Sequence, residues 1–183
     1  YNKQGNLYNR AISGVYAPGS TFKMVSATAG LESGAVTTKT TINDTGIYPR
    51  AHRPSCWYWS SYHSGHGYLN ISQSIQKSCN YYFYELGYRT GIDTIAKYAK
   101  LYGLGSKTGI ELAGESSGTV ATQEYCMQTE NRQWQLGDTL SAVIGQSYNS
   151  FTPIQMARYI GMLANNRITT RCNFNKIYYR CRR

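Results

Sequence analysis

Apolar positions recur with helical spacing in four parts of the chain. The predicted helices cover residues 20–33, 69–87, 91–102 and 153–165. In the first of them, Phe22, Val25 and Ala29 fall on one face, and Gly34 follows where the helix is expected to end. Residues 35–47 are rich in Thr and Gly and predict short extended pieces with a turn. Residues 48–68, which hold all three His residues, are predicted as a loop.

A hydroxyl and an amine stand three residues apart at the predicted start of the first helix, in the run Ala17-Pro18-Gly19-Ser20-Thr21-Phe22-Lys23. Residues three apart share a helix face, so the Lys23 amine can reach the Ser20 oxygen. The helix N-terminus would stabilise negative charge that develops on this oxygen. A Ser at such a position is commonly only a helix cap. Together with the Lys, however, it is also the arrangement of an activated nucleophile.

A second polar tripeptide, Ser78-Cys79-Asn80, interrupts the apolar positions of the helix predicted over residues 69–87. A Ser hydroxyl can both donate and accept a hydrogen bond, and so can pass a proton between two groups that contact it. The Asn80 side chain offers both a donor and an acceptor to a peptide bond. Alone, such a tripeptide is typical of a turn or a cap. The tripeptide is informative only together with the run from Ser20 to Lys23, which precedes it in the chain.

The two runs resemble the first two active-site motifs of the penicillin-binding proteins, and specifically of the class B peptidoglycan transpeptidases. The similarity continues in three later runs and covers residues 8–166; these are Trp134 to Asp138, Ile144-Gly145-Gln146, and Thr152-Pro153-Ile154-Gln155-Met156-Ala157. It implies an α/β (α+β) fold in which helices sandwich an antiparallel sheet. It also implies acyl transfer from a D-Ala-D-Ala peptide, with Ser20 as nucleophile, Lys23 as general base, Ser78 as proton relay and Asn80 as substrate holder.

The resemblance further implies substrates, partners and a location. Peptidoglycan stem peptides are the expected substrates, β-lactam antibiotics the expected acylating inhibitors, and other cell-wall synthesis proteins the expected partners. The expected location is the bacterial cell membrane, with the catalytic domain outside the cytoplasm and the anchor not in this chain. Two alternatives stay open: a serine β-lactamase or penicillin sensor, which shares these motifs, and an inactive, truncated cell-wall scaffold.

The letters of the family's third motif, Lys-Thr-Gly, occur at Lys107-Thr108-Gly109. Their surroundings, Gly-Leu-Gly before and Glu-Leu-Ala-Gly-Glu-Ser-Ser-Gly shortly after, resemble a different family segment that lies between the second and third motifs. We therefore expect Lys107 not to be the catalytic cation.

Nitrogen and sulfur donors are concentrated near the second motif. His52 and Cys56, then His63 and His66, form two closely spaced pairs, and Cys79 follows inside the motif. Such donors suit tetrahedral zinc. The reaction implied by the family requires no cofactor, and isolated His residues are commonly hydrogen-bonded polar groups. The sequence thus predicts a structural zinc held by some of these five residues, or no metal at all.

Composition and charge indicate a single globular domain. The chain has 183 residues, of which 41% are apolar and 15% charged. It contains no run of about 18 apolar residues, the length that spans a bilayer. Six of the ten net positive charges lie in residues 167–183, which leaves +4 for the rest of the chain. With no nucleic-acid-binding motif beside this charge, we expect no nucleic-acid partner.

The family-like pattern stops after Asn166. Residues 1–166 are predicted to be a partial penicillin-binding transpeptidase domain, incomplete at both ends, and residues 167–183 a basic, unmatched tail. This tail is expected to be either an out-of-frame reading of a longer gene or a genuine basic ending.

Overall fold

The computed structural model describes residues 8–165, which divide into two compact units. Unit 1 comprises residues 8–17, 99–120 and 149–165, and unit 2 comprises residues 18–98 and 121–148. The four candidate catalytic residues all belong to unit 2. The expected tail at 167–183 lies outside the described residues.

Helices account for most of the regular structure in residues 8–165. They are α1 (Lys23–Glu32), α2 (Trp57–Tyr62), α3 (Ile71–Gln76), α4 (Asn80–Thr90), α5 (Ile92–Leu101), α6 (Gln123–Glu130), α7 (Leu136–Val143) and α8 (Pro153–Ala164). The strands are β1 (Ile42–Asp44) and β2 (Gly67–Leu69), and a 3₁₀ turn, Gly19–Phe22, leads directly into α1. The expected α/β (α+β) class is confirmed, since helices are combined with antiparallel strands. No helix in this part of the chain has the length and apolar character needed to cross a bilayer.

Helix α4 forms the centre of unit 2, because it packs against both α1 and α7. Its buried side chains include Phe83 and Leu86. Gly87 lets α7 approach closely, since a Cβ at this position would lie 3.0 Å from the Cβ of Val143. The Ser26 hydroxyl of α1 donates a buried hydrogen bond of 2.7 Å to the Val143 carbonyl. The three helices are therefore joined by packing and by a polar contact at the end of α7.

The two strands pair in antiparallel register, with Ile42 opposite Leu69 and Asp44 opposite Gly67. Strand alternation buries Ile42 and Asp44 and exposes Asn43. A buried carboxylate is costly unless it has charged or hydrogen-bonding partners. The inward position of Asp44 therefore requires polar groups around it.

The single helix predicted over residues 69–87 is in fact two helices, α3 and α4, separated at the second motif. Ser78 takes a left-handed backbone conformation, with φ of 49°, and this ends the helical path. Cys79 then caps α4, where its sulfur accepts a bond of 3.4 Å from the Tyr82 amide. The apolar spacing continues across the break, so periodicity alone could not show it.

Three helices were missing from the predicted elements. Helix α2 lies within residues 48–68, which were expected to form a loop, and α6 and α7 lie in a stretch without a predicted helix. Helix α2 has six residues and no fully buried side chain, so it lacks the apolar stripe on which the prediction relied. In α6 only Cys126 is buried.

In unit 1, Gln155 connects α8 to two loops. Its side chain and that of Thr152 form a capping box at the start of the helix. Its Nε2 also donates to the carbonyls of Ser106 and Ser117, at 2.8 and 2.7 Å. The buried side-chain amide of Gln155 thus fixes the start of α8 and the loops that flank the Lys-Thr-Gly run.

The Lys-Thr-Gly run is held in place by hydrogen bonds to a buried acid of the same loop. Glu115 accepts hydrogen bonds of 2.6 Å from both the backbone amide and the hydroxyl of Thr108, and one of 3.3 Å from the Gly109 amide. Lys107 is exposed, whereas Thr108 and Glu115 are buried. This loop is therefore organised by its own glutamate.

We expect Glu115→Ala to lower the free energy of unfolding by about 2 to 3 kcal/mol, because it leaves the buried Thr108 amide and hydroxyl without their acceptor. Urea titration of the native protein measures this change. Glu111→Ala, an exposed acid of the same loop, serves as the control and should change stability by less than about 0.5 kcal/mol. Equal effects of the two substitutions would show that the loop does not depend on Glu115.

Candidate active site

The backbone around Ser20 presents its side chain to solvent. Gly19 has a φ of 55°, which favours glycine, and its amide donates to the Gly145 carbonyl at 2.9 Å. A Cβ on Gly145 would collide with the Gly19 carbonyl oxygen, so the close approach of these two segments requires a glycine there. Ser20 lies in the 3₁₀ turn rather than in the first turn of the α-helix, and it is exposed.

Lys23, the first residue of α1, is buried with three oxygen acceptors around its ammonium group. Its side chain donates to the Ser78 carbonyl at 2.8 Å, to the Ser78 hydroxyl at 3.0 Å and to Asn80 Oδ1 at 2.6 Å. The Phe83 ring lies beneath it, with Nζ 5.5 Å from the ring centroid. Since Lys23 is only 2% exposed, these groups replace its hydration shell.

Burial lowers the pKa of Lys23 from 10.5 to about 8, because the charged form loses water. Negative charge on the thiols of Cys79 and Cys56 opposes this effect and favours the protonated amine. A considerable fraction of the amine is therefore neutral in mildly alkaline solution, and a neutral amine can accept a proton.

Ser78 lies between Lys23 and Ser20. Its hydroxyl donates to the Ser20 hydroxyl at 3.0 Å and accepts from Lys23 at the same distance. The sequence predicted a direct approach of Lys23 to Ser20; in the structure, the hydrogen bonds pass through Ser78. When Lys23 is neutral, the same contacts can reverse direction, so that Ser20 donates to Ser78 and Ser78 to Lys23.

A second polar group, which we call the Asp-Cys-His cluster, lies on the other side of the second motif. It consists of Asp44, Cys56, His66 and Cys79, whose donor atoms all lie within 4.8 Å of one another. The separate contacts are 4.0 Å between the two sulfurs, 3.7 Å from Cys56 Sγ to His66 Nδ1, and 3.2 Å from Cys79 Sγ to Asp44 Oδ2. The His66 Nδ1 atom lies 2.7 Å from Asp44 Oδ2.

The spacing and the chemistry of this cluster fit zinc. Ligand bonds of about 2.0 to 2.3 Å in a tetrahedron place neighbouring ligand atoms about 3.3 to 3.8 Å apart. The three contacts that involve sulfur are close to that range. The shorter contact between His66 and Asp44 is a hydrogen bond and would have to lengthen around an ion. The cluster therefore requires little rearrangement to hold a metal.

The protonation of the cluster also suits a cation. Burial disfavours the charged form of Asp44, yet hydrogen bonds from His66, the Gly46 amide and Cys79 hold the pKa of this carboxyl below its usual value. The hydrogen bond with Cys79 lowers the pKa of the Cys56 thiol, while the same contact and burial raise that of Cys79. Cys56 is thus the thiol that loses its proton more readily, and the buried carboxylate of Asp44 lies beside the pair.

The structure brings together only three of the five residues predicted as metal ligands: Cys56, His66 and Cys79. His52 and His63 are exposed and lie outside the cluster. His63 follows α2 in a left-handed conformation and contacts Trp59 edge to face. Their place among the predicted ligands rested on spacing along the chain, whereas in the structure His52 lies beside Gly137 and His63 beside Trp59.

Asp44 was missed by the sequence analysis, which assigned it to a turn. It is the only acidic residue between Glu32 and Glu85. This isolation could have identified Asp44 from the sequence, because a single carboxylate in a stretch rich in His and Cys is a candidate metal ligand. Its inward direction depends on the pairing of β1 with β2, which the sequence did not predict.

Comparisons with known proteins show which family the chain resembles. The sequence profile of the penicillin binding protein transpeptidase domain matches residues 1–179. The chain is 39% identical over 164 residues to the peptidoglycan D,D-transpeptidase MrdA of Acinetobacter baumannii, and 37% identical over 163 residues to MrdA of Escherichia coli K12. These alignments cover 87% and 88% of the chain but only 24% and 25% of the two relatives, so the chain spans about a quarter of their length.

Solved structures show the same likeness. Pseudomonas aeruginosa PBP2, in complex with WCK 5153, superposes with a TM-score of 0.81 at 36% identity, over 87% of this chain and 36% of that one. Helicobacter pylori PBP2, in complex with MreC, gives a TM-score of 0.82 at 33% identity, over 87% of this chain and 30% of that one. With the profile match and the relatives above, these structures show that the chain belongs to the penicillin-binding protein transpeptidase family.

Proposed function

We propose that this chain supplies the catalytic Ser and Lys of a peptidoglycan D,D-transpeptidase, with Ser20 as the nucleophile. The observation that carries this proposal is the continuous hydrogen-bond path from Ser20 through Ser78 to the buried Lys23. An exposed hydroxyl connected to a buried amine with a lowered pKa is one arrangement that activates a serine nucleophile. The MrdA relatives, which are named D,D-transpeptidases, support the same reaction.

In the first half-reaction, Ser20 Oγ attacks the carbonyl carbon between the two D-Ala residues of a stem peptide. Its proton passes through the Ser78 hydroxyl to the neutral Lys23 amine. The bond to the terminal D-Ala then breaks, and the proton returns from Lys23 through Ser78 to the leaving amine. The products are an ester on Ser20 and free D-Ala, and every group of the enzyme except Ser20 is restored.

In the second half-reaction, an amine of a neighbouring stem peptide attacks the ester carbonyl. The same path removes a proton from this amine and returns one to Ser20 as the ester bond breaks. Asn80 has a supporting role, because its Oδ1 atom accepts from Lys23 and holds it in place, and an amide side chain can orient a peptide bond. The Ser20 backbone amide contributes one donor for the oxyanion.

A β-lactam would form the corresponding ester by the same attack, and hydrolysis of that ester distinguishes the alternatives. A transpeptidase keeps the adduct for a long time, a β-lactamase releases it quickly, and an inactive scaffold does not form it. We further propose that the protein acts at the outer face of the cell membrane with other cell-wall synthesis proteins. The complex of Helicobacter pylori PBP2 with MreC supports that kind of partnership.

We also propose that the Asp-Cys-His cluster binds one structural zinc ion, with Asp44, Cys56, His66 and Cys79 as its ligands. Bound there, the ion would contribute folding energy by fixing four ligands from separate segments. Cys79 stands between Ser78 and Asn80 in the chain, so holding its side chain also restricts the backbone that carries those two groups. The reaction path itself involves only protein side chains.

A fluorescent penicillin should label Ser20 in the native protein that contains this chain. Peptide mapping by mass spectrometry is expected to find the adduct on Ser20, and Ser20→Ala should abolish it. Ser78→Ala should slow acylation by about 100 to 10,000 fold, because it interrupts the proton path. Ser72→Ala, an exposed residue of α3, is the control and should label normally. Labelling that persists in Ser20→Ala would refute the assignment.

The acylation rate should rise with pH and level off above about 8, because only the neutral form of Lys23 accepts the proton. Below that pH, the rate should fall about tenfold per pH unit. Stopped-flow or quenched labelling between pH 6 and 10 measures the profile, after correction for spontaneous β-lactam hydrolysis. A midpoint near 10.5, the ordinary value for lysine, would contradict a role for burial.

Protein purified without a polyhistidine tag should contain about one zinc per chain, as measured by elemental analysis. Asp44→Ala and Cys79→Ser should lose the metal and lower the melting temperature, because they remove ligands. His52→Ala and His63→Ala should keep it, since these residues lie outside the cluster. Absence of metal, together with melting unaffected by a chelator, would contradict the zinc proposal.

A further inference from the structure

An open cavity of about 540 Å³ lies beside the second motif. Its lining includes Trp57 and Tyr58 from α2, Gln76 at the end of α3, and Lys77 and Ser78 from the connection between α3 and α4. This volume lies within the range of about 300 to 1,000 Å³ that is typical of ligand pockets. The mechanism above uses only one of these residues, Ser78, and assigns no role to the cavity.

The walls of the cavity are held in place by specific contacts. The Trp57 indole nitrogen donates to the Lys77 carbonyl at 3.1 Å, which ties α2 to the segment that precedes Ser78. The Tyr58 ring lies against His66, with their centroids 4.4 Å apart, and His66 is bound to the buried Asp44. The aromatic side of the cavity is therefore fixed before any ligand enters.

Lys77 is the exposed charged side chain in the wall of the cavity, while the carboxylate of Asp44 is buried and bound to His66. Residues 45–84 contain no acid, whereas Arg50, Arg53 and Lys77 are all found there. Trp57 is 43% exposed, so part of its ring is available for contact. Aromatic faces beside one free ammonium group fit an aliphatic chain that carries a carboxylate.

The cavity also adjoins the nucleophile. Ser78 forms part of its wall, and the Ser78 hydroxyl lies 3.0 Å from the Ser20 hydroxyl. A peptide whose scissile carbonyl is at Ser20 would therefore have its neighbouring residues close to Lys77. A substrate much larger than the dipeptide at the reaction centre needs such an adjoining site, because binding energy from its remote parts aids the reaction.

We propose that this cavity binds the acidic part of the acyl-donor stem peptide, upstream of its terminal D-Ala-D-Ala. Lys77 pairs with a free carboxylate of the stem, and Trp57 and Tyr58 pack against its aliphatic chain. This inference rests on the transpeptidase function proposed above and assigns to Lys77 a role in substrate selection. The occupant is the peptide rather than the glycan, because the peptide is the part that is continuous with the scissile bond and carries several carboxylates.

Release of D-Ala by the native protein tests the proposal with three donors. The first is a full pentapeptide stem, the second is the same peptide with its side-chain and α-carboxylates upstream of D-Ala-D-Ala converted to amides, and the third is an N-acetylated D-Ala-D-Ala dipeptide. Lys77→Gln should lower kcat/KM for the full stem by about three- to tenfold, and Lys77→Glu should lower it further, because charge repulsion replaces attraction. Both variants should leave the amidated stem and the dipeptide unchanged. Lys39→Gln, another exposed lysine of unit 2, is the matched control and should change none of the three.

Benzylpenicillin separates this proposal from the one on which it rests, because it is expected to acylate Ser20 but carries no stem peptide. Normal acylation of Lys77→Gln by benzylpenicillin, with a loss confined to the charged stem, supports the subsite. Normal acylation with an equal loss for charged and amidated stems, or with no loss at all, overturns the subsite and leaves the transpeptidase proposal intact. Failure of the unsubstituted protein to react with benzylpenicillin overturns both.

Discussion

The burial of the Lys23 ammonium group is the constraint on which the candidate site depends. A cation removed from water needs acceptors in a fixed arrangement, and here the second motif supplies all three. One of them is the Ser78 backbone carbonyl, which can face Lys23 because Ser78 departs from helical geometry with its φ of 49°. The left-handed residue carries a conformational cost that the contacts with Lys23 offset. The break between α3 and α4 is thus part of the same arrangement as the buried amine.

The second motif serves two polar centres at once, and the alternation of its side chains explains how. Ser78 and Asn80 face Lys23, while Cys79 between them faces Asp44 and Cys56. A tripeptide at the start of a helix has this freedom because its first residues are not yet restricted to helical directions. The candidate reaction centre and the Asp-Cys-His cluster therefore share a backbone, and a change that displaces Cys79 also displaces the two residues beside it.

The sequence predicted the parts of this site that lie within short motifs. Ser20 and Lys23 were named from their spacing, and Ser78 and Asn80 from the resemblance to a family motif; in the structure the four form one hydrogen-bonded group. It did not predict that Ser78 would separate Ser20 from Lys23, because that depends on the turn of the chain before α4. Asp44 was also missed, since its inward direction comes from a strand pairing between residues more than twenty positions apart. Contacts that depend on tertiary pairing leave little trace in local periodicity. The residue types of a short motif, in contrast, can be read directly from the sequence.

The Lys-Thr-Gly run at residues 107–109 shows why identical letters do not imply identical chemistry. A motif that binds a substrate carboxylate needs its hydroxyl and amide donors free to face the ligand. Here the Thr108 hydroxyl and amide both donate to Glu115, a carboxylate of the same loop. These donors already have an anionic partner that is buried and fixed, and a substrate carboxylate would have to displace it. The expectation that Lys107 is not the catalytic cation was based on flanking sequence, and the hydrogen bonds of Thr108 give it an independent physical basis.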